Sequence, residues 1–312
     1  MGAAIAVTVI AHIGLPLYFL FMFFKTRFTS RLHAVMYTWT TGAYLALIWR
    51  GGAGWDWFSY FVPYIYMALF VAAALIVAVR ARNLPWAPLN ERRPWFSIVL
   101  FALIGAFFAQ AVPSTITARE YPPGKALKLL FPLKGGTYHV GHGGSNATMN
   151  YHVAAKAQSF ALDITKLNAY GTRARGLFPE DVSKYEIYGA EVFAPCSGEV
   201  IRVQDGLPDQ KPGDGDFENL AGNHIVIFCH EASITVAHLK PGSVAVKRGD
   251  TVEAGQLLGR VGNSGNTSEP HLHIHAIAGK HTDNRTIIRD GEGVPLVFDG
   301  RFLVRNDRVT VP

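Results

Sequence analysis

The 312-residue sequence predicts a helical membrane part followed by an all-β domain. Composition is the first indication: 49% of residues are hydrophobic and 17% charged, where soluble domains carry about 25% charged residues, and the mean hydropathy is +0.17. The second is charge placement. Of 29 Lys and Arg, 8 fall in residues 1–113, against only Asp56 and Glu91 there. The later part is therefore neutral, and the net charge of +6 belongs to the first third. A neutral second part lacks the electrostatic footprint of a nucleic-acid binder, so no nucleic-acid partner is expected. The third is a change of pattern: from Leu133 onward, long apolar stretches give way to short β-branched runs broken by Gly, Pro, Asn and Asp.

Four apolar stretches, about 3–24, 34–49, 58–79 and 96–112, are candidates to cross the roughly 30 Å of a bilayer core. The tryptophans Trp39, Trp49, Trp55, Trp57, Trp86 and Trp95 all lie in this third, several at the stretch ends, as an aromatic belt requires. No basic segment precedes the first stretch, which argues for a retained helix over a cleaved signal peptide. Lys25, Arg27 and Arg31 follow the first stretch, and Arg80, Arg82, Arg92 and Arg93 precede the fourth, whereas the loop between the second and third has only Arg50. Positive loops face the cytoplasm, which places both termini outside. The expected organisation is a membrane domain over 1–113, a linker over 114–131 and an extracytoplasmic domain over 132–312, with a C-terminal extension after about 280. Asp56 and Glu91 fall in loops, and His12 is the one ionisable group inside a stretch, read as a neutral imidazole bonded to a neighbouring helix.

In the second part, strands are expected near 191–194, 198–203, 224–228, 234–238, 256–261 and 272–278. Two polar segments, 170–188 and 204–221, are too long for strand connections and are expected on the surface, where they would wall a groove. Arg173 and Arg175 in the first could meet substrate carboxylates or stay solvated, and the acids Asp209, Asp214, Asp216 and Glu218 in the second read as a turn-rich loop. Cys196 and Cys229 are too few for a disulfide framework; whether they are bonded stays open.

The chemistry concentrates in histidines. In Pro270-His271-Leu272-His273-Ile274-His275, three imidazoles alternate with apolar residues, so a strand would put all three on one face. Catalytic zinc sites take three protein ligands, with neutral imidazole a preferred one. Asp163 stands alone in an apolar stretch, where an unpaired carboxylate is costly, so a cation is its natural partner.

Asn150-Tyr151-His152, Asp163, Ala194-Pro195-Cys196-Ser197-Gly198, Gly222-Asn223-His224, Ala237-His238-Leu239, Gly262-Asn263-Ser264-Gly265 and Pro270-His271-Leu272-His273 together resemble the lysostaphin/LytM-type zinc metallopeptidases. The resemblance runs from about 132 to about 278. It implies antiparallel sheets of the LytM type and one zinc ion held by His152, Asp163 and His273. It also implies that His238 and His271 are unligated catalytic imidazoles, with His271 preferred as the base. This chain departs from the family at the first motif, where His152 and Asp163 are eleven apart, far more than the compact family spacing, and His142 is the alternative first ligand. His275, on the same strand face, would orient a ligand or the substrate. The resemblance further implies a membrane-embedded peptidoglycan endopeptidase of the inner membrane acting on stem or crosslink peptides. An envelope-protein protease, a non-catalytic activator module and a regulatory envelope partner stay open.

Overall fold

A computed structural model describes residues 2–88 and 92–312; Glu91, expected in a loop, lies outside the described residues. The chain divides into a helical unit, Met1–Trp55 with Tyr60–Ile116, and a β unit, Thr117–Pro312 with the short segment Asp56–Ser59.

In the helical unit, three segments are long and apolar enough to cross a membrane: Ile5–Lys25, Val62–Ala81 and Arg92–Thr117. The second expected stretch forms the 21-residue helix Arg31–Gly51, whose side-chain Ser30 cap accepts from the His33 N–H. It is less apolar for a reason visible in its packing. His33, Tyr37, Thr40, Thr41, Tyr44 and Ile48 form its buried stripe at helical spacing. The Tyr37 hydroxyl donates to the Phe19 carbonyl at 2.7 Å and Thr40 to the Phe101 carbonyl at 2.6 Å, so these polar groups are satisfied by neighbouring backbone. His12 Nδ1 bonds within its own helix, to the Thr8 carbonyl at 3.0 Å, and its ring meets Trp55 edge-on.

The β unit is built from β1 (Leu127–Leu129), β2 (Gly136–His142), β3 (Leu162–Leu167), β4 (Glu191–Phe193), β5 (Gly198–Gln204), β6 (Asn223–Cys229), β7 (Ala232–Leu239), β8 (Thr251–Val252), β9 (Leu257–Arg260), β10 (Leu272–Ala278), β11 (Leu296–Phe298), β12 (Arg301–Phe302) and β13 (Arg308–Val311). An eight-stranded antiparallel sheet runs β13-β2-β3-β10-β7-β6-β5-β8, beside a two-stranded sheet β4-β9 and a three-stranded sheet β1-β11-β12. The expected linker is thus partly structured. Leu127–Leu129 pairs in parallel with Leu296–Phe298, a three-residue match too short to show alternation in the sequence.

Alternation decides which face of the large sheet is which. Leu272, Ile274 and Ala276 of β10 enter the same core as Ile164 of β3, Ile234 and Val236 of β7, and Ile225 and Ile227 of β6; Val192 and Leu258 reach that core from the small sheet. The intervening residues of β10, His273 and His275, therefore face the other way. Cys196 and Cys229 are joined by a disulfide, with Cα atoms 6.5 Å apart, which answers the question their spacing left open.

Candidate active site

Strand register sets the first contacts. Asp163 of β3 lies opposite His273 of β10 and, on its other side, opposite His142 of β2. His273 is opposite Ala237 of β7, one residue before His238. His152 comes from a 3-10 turn, Tyr151–Ala154, capped by Asn150. The fully buried Asn150 amide donates to the Gly144 and Ala161 carbonyls at 3.0 and 3.1 Å, while its oxygen accepts from the His152 N–H. The eleven-residue spacing between His152 and Asp163 is thereby folded back onto β3.

The side chains converge. His152 Nε2 lies 2.9 Å from Asp163 Oδ2, His273 Nδ1 lies 2.8 Å from Oδ1, and His271 Nε2 lies 3.4 Å from Oδ1. Donor atoms of His152, Asp163 and His273 all lie within 4.8 Å of one another, as do those of His238, His271 and His273. All five residues are buried. Burial alone pushes the Asp163 carboxyl up, but the imidazoles of His152 and His271 outweigh it and hold it well below the usual carboxylate range.

The imidazoles of His238, His271, His273 and His275 are each held at one nitrogen by an acceptor, which assigns the tautomer. His271 Nδ1 donates to the Glu269 carbonyl at 2.8 Å and lies 3.1 Å from Thr267 Oγ1. His238 Nδ1 donates to the Ser264 carbonyl at 2.8 Å. In their neutral forms both therefore present a bare Nε2. Burial, with His271 and His273 alongside, pushes the His238 pKa well down. His273 Nε2 contacts His275 Nδ1 at 2.9 Å, and His275 Nε2 donates to the Ile287 carbonyl at 3.0 Å, which leaves His273 Nδ1 facing the carboxylate.

His142, the alternative first ligand, has its Nδ1 bonded elsewhere. Arg305 Nη2 donates to its Nδ1 at 2.7 Å, and a guanidinium there repels a cation. Neither His142 nor His139 joins a metal-capable group among the described residues.

A groove of about 770 Å³ opens onto His152, His238, His273 and His275. The segment after β5 walls it through Phe217, Leu220 and Ala221. The same segment is tied underneath the Gly-Asn-Ser turn, since Asp209 Oδ1 accepts from the Asn263 N–H at 2.7 Å. The other polar segment, expected to wall the groove as well, does not line it. Arg173 is not solvated: it is 1% exposed and holds Glu269 through Nε and Nη2, at 2.7 and 2.5 Å. Sequence reasoning missed this pair because its members lie 96 residues apart.

Residues 183–285 match the family model of peptidase family M23. This region is a peptidase M23 domain. The match includes His238, His271 and His273 but begins after His152 and Asp163, so those two join the M23 domain's histidines through strand pairing and the capped turn. Over 89 residues the chain is 34% identical to peptidoglycan DD-endopeptidase ShyA of Vibrio cholerae serotype O1, covering 27% of this chain and 20% of that protein. The chain thus spans about a fifth of the length of the curated relative it matches. Among solved structures it is similar to lysostaphin from Staphylococcus simulans, at 24% identity over 31% of this chain and 39% of that one, with a TM-score of 0.23. A peptidase M23 structure from Pseudomonas aeruginosa is 20% identical over 57% and 59% of the two chains, with a TM-score of 0.29.

Proposed function

We propose that this chain is a membrane-anchored, zinc-dependent endopeptidase that hydrolyses peptide bonds in the stems or crosslinks of peptidoglycan. The observation that carries the reading is one buried carboxylate, Asp163, within 3.4 Å of three imidazoles, two of which, His152 and His273, line a groove. Two neutral imidazoles and a carboxylate are a zinc-type donor set, and a cation answers the charge of a carboxylate that burial alone would disfavour. His152, Asp163 and His273 would hold the ion. Zinc in such a site supplies Lewis-acid activation of a carbonyl and of water.

The chain's own residues then move the protons. His271, with its Nδ1–H held by the Glu269 carbonyl, offers a bare Nε2 to accept a proton from the attacking water and return it to the leaving amine. His238, its ring 4.8 Å from that of His271, is the second unligated imidazole and stands at the oxygen end of the reacting carbonyl. His275 keeps His273 turned so that Nδ1, not Nε2, faces the site. The peptidoglycan substrate rests on the likeness to the Vibrio cholerae endopeptidase. The extracytoplasmic side rests on the Lys/Arg asymmetry of the first third and on a disulfide, which persists in oxidising compartments. Four crossings are proposed, with Arg31–Gly51 as the shielded second helix.

The test is digestion of purified peptidoglycan by the full-length protein in detergent. Crosslinked muropeptides should be lost, the loss should stop with a chelator, and zinc should restore it. Activity that persists in chelator contradicts zinc dependence, and intact crosslinks and stems contradict the substrate.

A further inference from the structure

We propose that Arg173 and Glu269 are positioning residues for His271, and that residues 56–59, which link two apolar helices in the sequence, hold Arg173 in place. The inference rests on the catalytic role given to His271 above. Glu269 reaches His271 through its main chain: its carbonyl accepts from His271 Nδ1 and from the Thr267 hydroxyl, both at 2.8 Å. The orientation of that carbonyl decides which nitrogen of His271 is bare. Its side chain is the part Arg173 grips, through Nε and Nη2 in a two-point fork that fixes direction as well as distance. The same guanidinium donates to the Leu177 carbonyl at 3.2 Å, so its plane is set from both sides.

Arg173 is in turn set by the segment 56–59, which belongs to the β unit. The Arg173 N–H donates to the Asp56 carbonyl at 2.9 Å. The Trp57 ring lies under the guanidinium at 4.9 Å and against Phe178 at 5.6 Å. Ser59 donates to the Tyr170 carbonyl at 2.7 Å. Asp56 is itself anchored: Thr165 donates to it at 2.8 Å and His139 lies 3.5 Å away. Burial pushes its carboxyl up, yet His139, Arg173 and Thr165 outweigh that and hold it at about 2. Three charged side chains have thus been taken out of water at a place where apolar residues would pack. A buried ion pair is weak support for stability, since apolar replacements of similar volume are often neutral or stabilising. Its remaining consequence here is directional, and the direction it sets is that of the His271 carbonyl partner.

The experiment compares full-length wild-type protein, Arg173→Met with Glu269→Leu together, Arg173→Lys, and Trp57→Ala for bound zinc, thermal unfolding, kcat and KM on crosslinked muropeptides. The double variant should fold, keep its zinc and its KM, and lose about 100-fold in kcat, the scale of a small misplacement of a catalytic group. Arg173→Lys keeps the charge without the fork and should show the same split between kcat and KM, with a smaller loss; if the double variant does not fold, this variant decides. Trp57→Ala should lower kcat with zinc and KM unchanged. Wild-type kcat in the double variant or in Arg173→Lys overturns the positioning role, as does loss of zinc, which would place the pair under the ligands instead. Wild-type kcat in Trp57→Ala overturns the part given to residues 56–59. An inactive wild-type protein would instead contradict the endopeptidase reading on which the inference rests.

Discussion

His238 has a backbone that few residues tolerate. Its φ of 62° lies in the left-handed region, which costs a non-glycine residue about 1–3 kcal/mol and persists only where neighbours fix it. Here the Ala221 carbonyl accepts its N–H and the Gly262 N–H donates to its carbonyl, while the Ser264 carbonyl takes its Nδ1–H. Gly222 makes this possible, because its φ is +56° and the Ser264 main chain occupies the space where a Cβ would stand. Gly222→Ala should destabilise the protein by about 1–3 kcal/mol and reduce turnover by displacing the acceptor of His238. Thermal unfolding with a paired activity assay checks this; an unchanged melt would show that the turn moves aside freely. The alternation in His271, His273 and His275 made their common face legible in the sequence, and the isolation of Asp163 marked it as the carboxylate. Arg173 and Glu269 gave no such signal. A basic residue in a polar segment reads as solvated, and only tertiary pairing shows it buried.

Elements carried by long β-branched or alternating runs were legible to within a residue or two, as with β5, β6, β7 and β10. The strands left unmarked are β1, β2, β3, β8, β11, β12 and β13: β1, β8, β11 and β12 have only two or three residues each, too few to show alternation, and β2 and β13 pair with each other from opposite ends of the β unit, so local pattern carries little of what forms them. The helix Arg31–Gly51 had the opposite difficulty: its polar stripe lowered its apolarity because neighbouring helices satisfy it. The disulfide joins the residue two before β5 to the end of β6 across 33 residues. Closing a loop of that length constrains the unfolded chain by about 3–4 kcal/mol in the chain-entropy picture. Replacing Cys196 and Cys229 together by Ala should lower the unfolding temperature while leaving zinc content intact, since neither cysteine belongs to a metal-capable group among the described residues. Equal melts for the two proteins would mean that the bond adds nothing to the core already formed by β5 and β6.

Taken whole, the chain joins a helical unit of high apolar content to a β unit whose buried histidines and aspartate converge beside a groove lined by His152, His238 and His273, with a four-residue segment from between two helices counted in the β unit. The family match covers three of the five proposed site residues, and strand pairing and the Asn150 cap bring in the other two. That division sets the decisive comparison, which is zinc stoichiometry measured beside turnover in five single alanine variants of the full-length protein. His152→Ala, Asp163→Ala and His273→Ala should lose both metal and activity, because two remaining ligands hold a catalytic ion poorly. His238→Ala and His271→Ala should keep the metal and lose about 10²–10⁴-fold in turnover. Full zinc in His152→Ala or His273→Ala, or loss of zinc in His271→Ala, would contradict the assignment of ligands and bases.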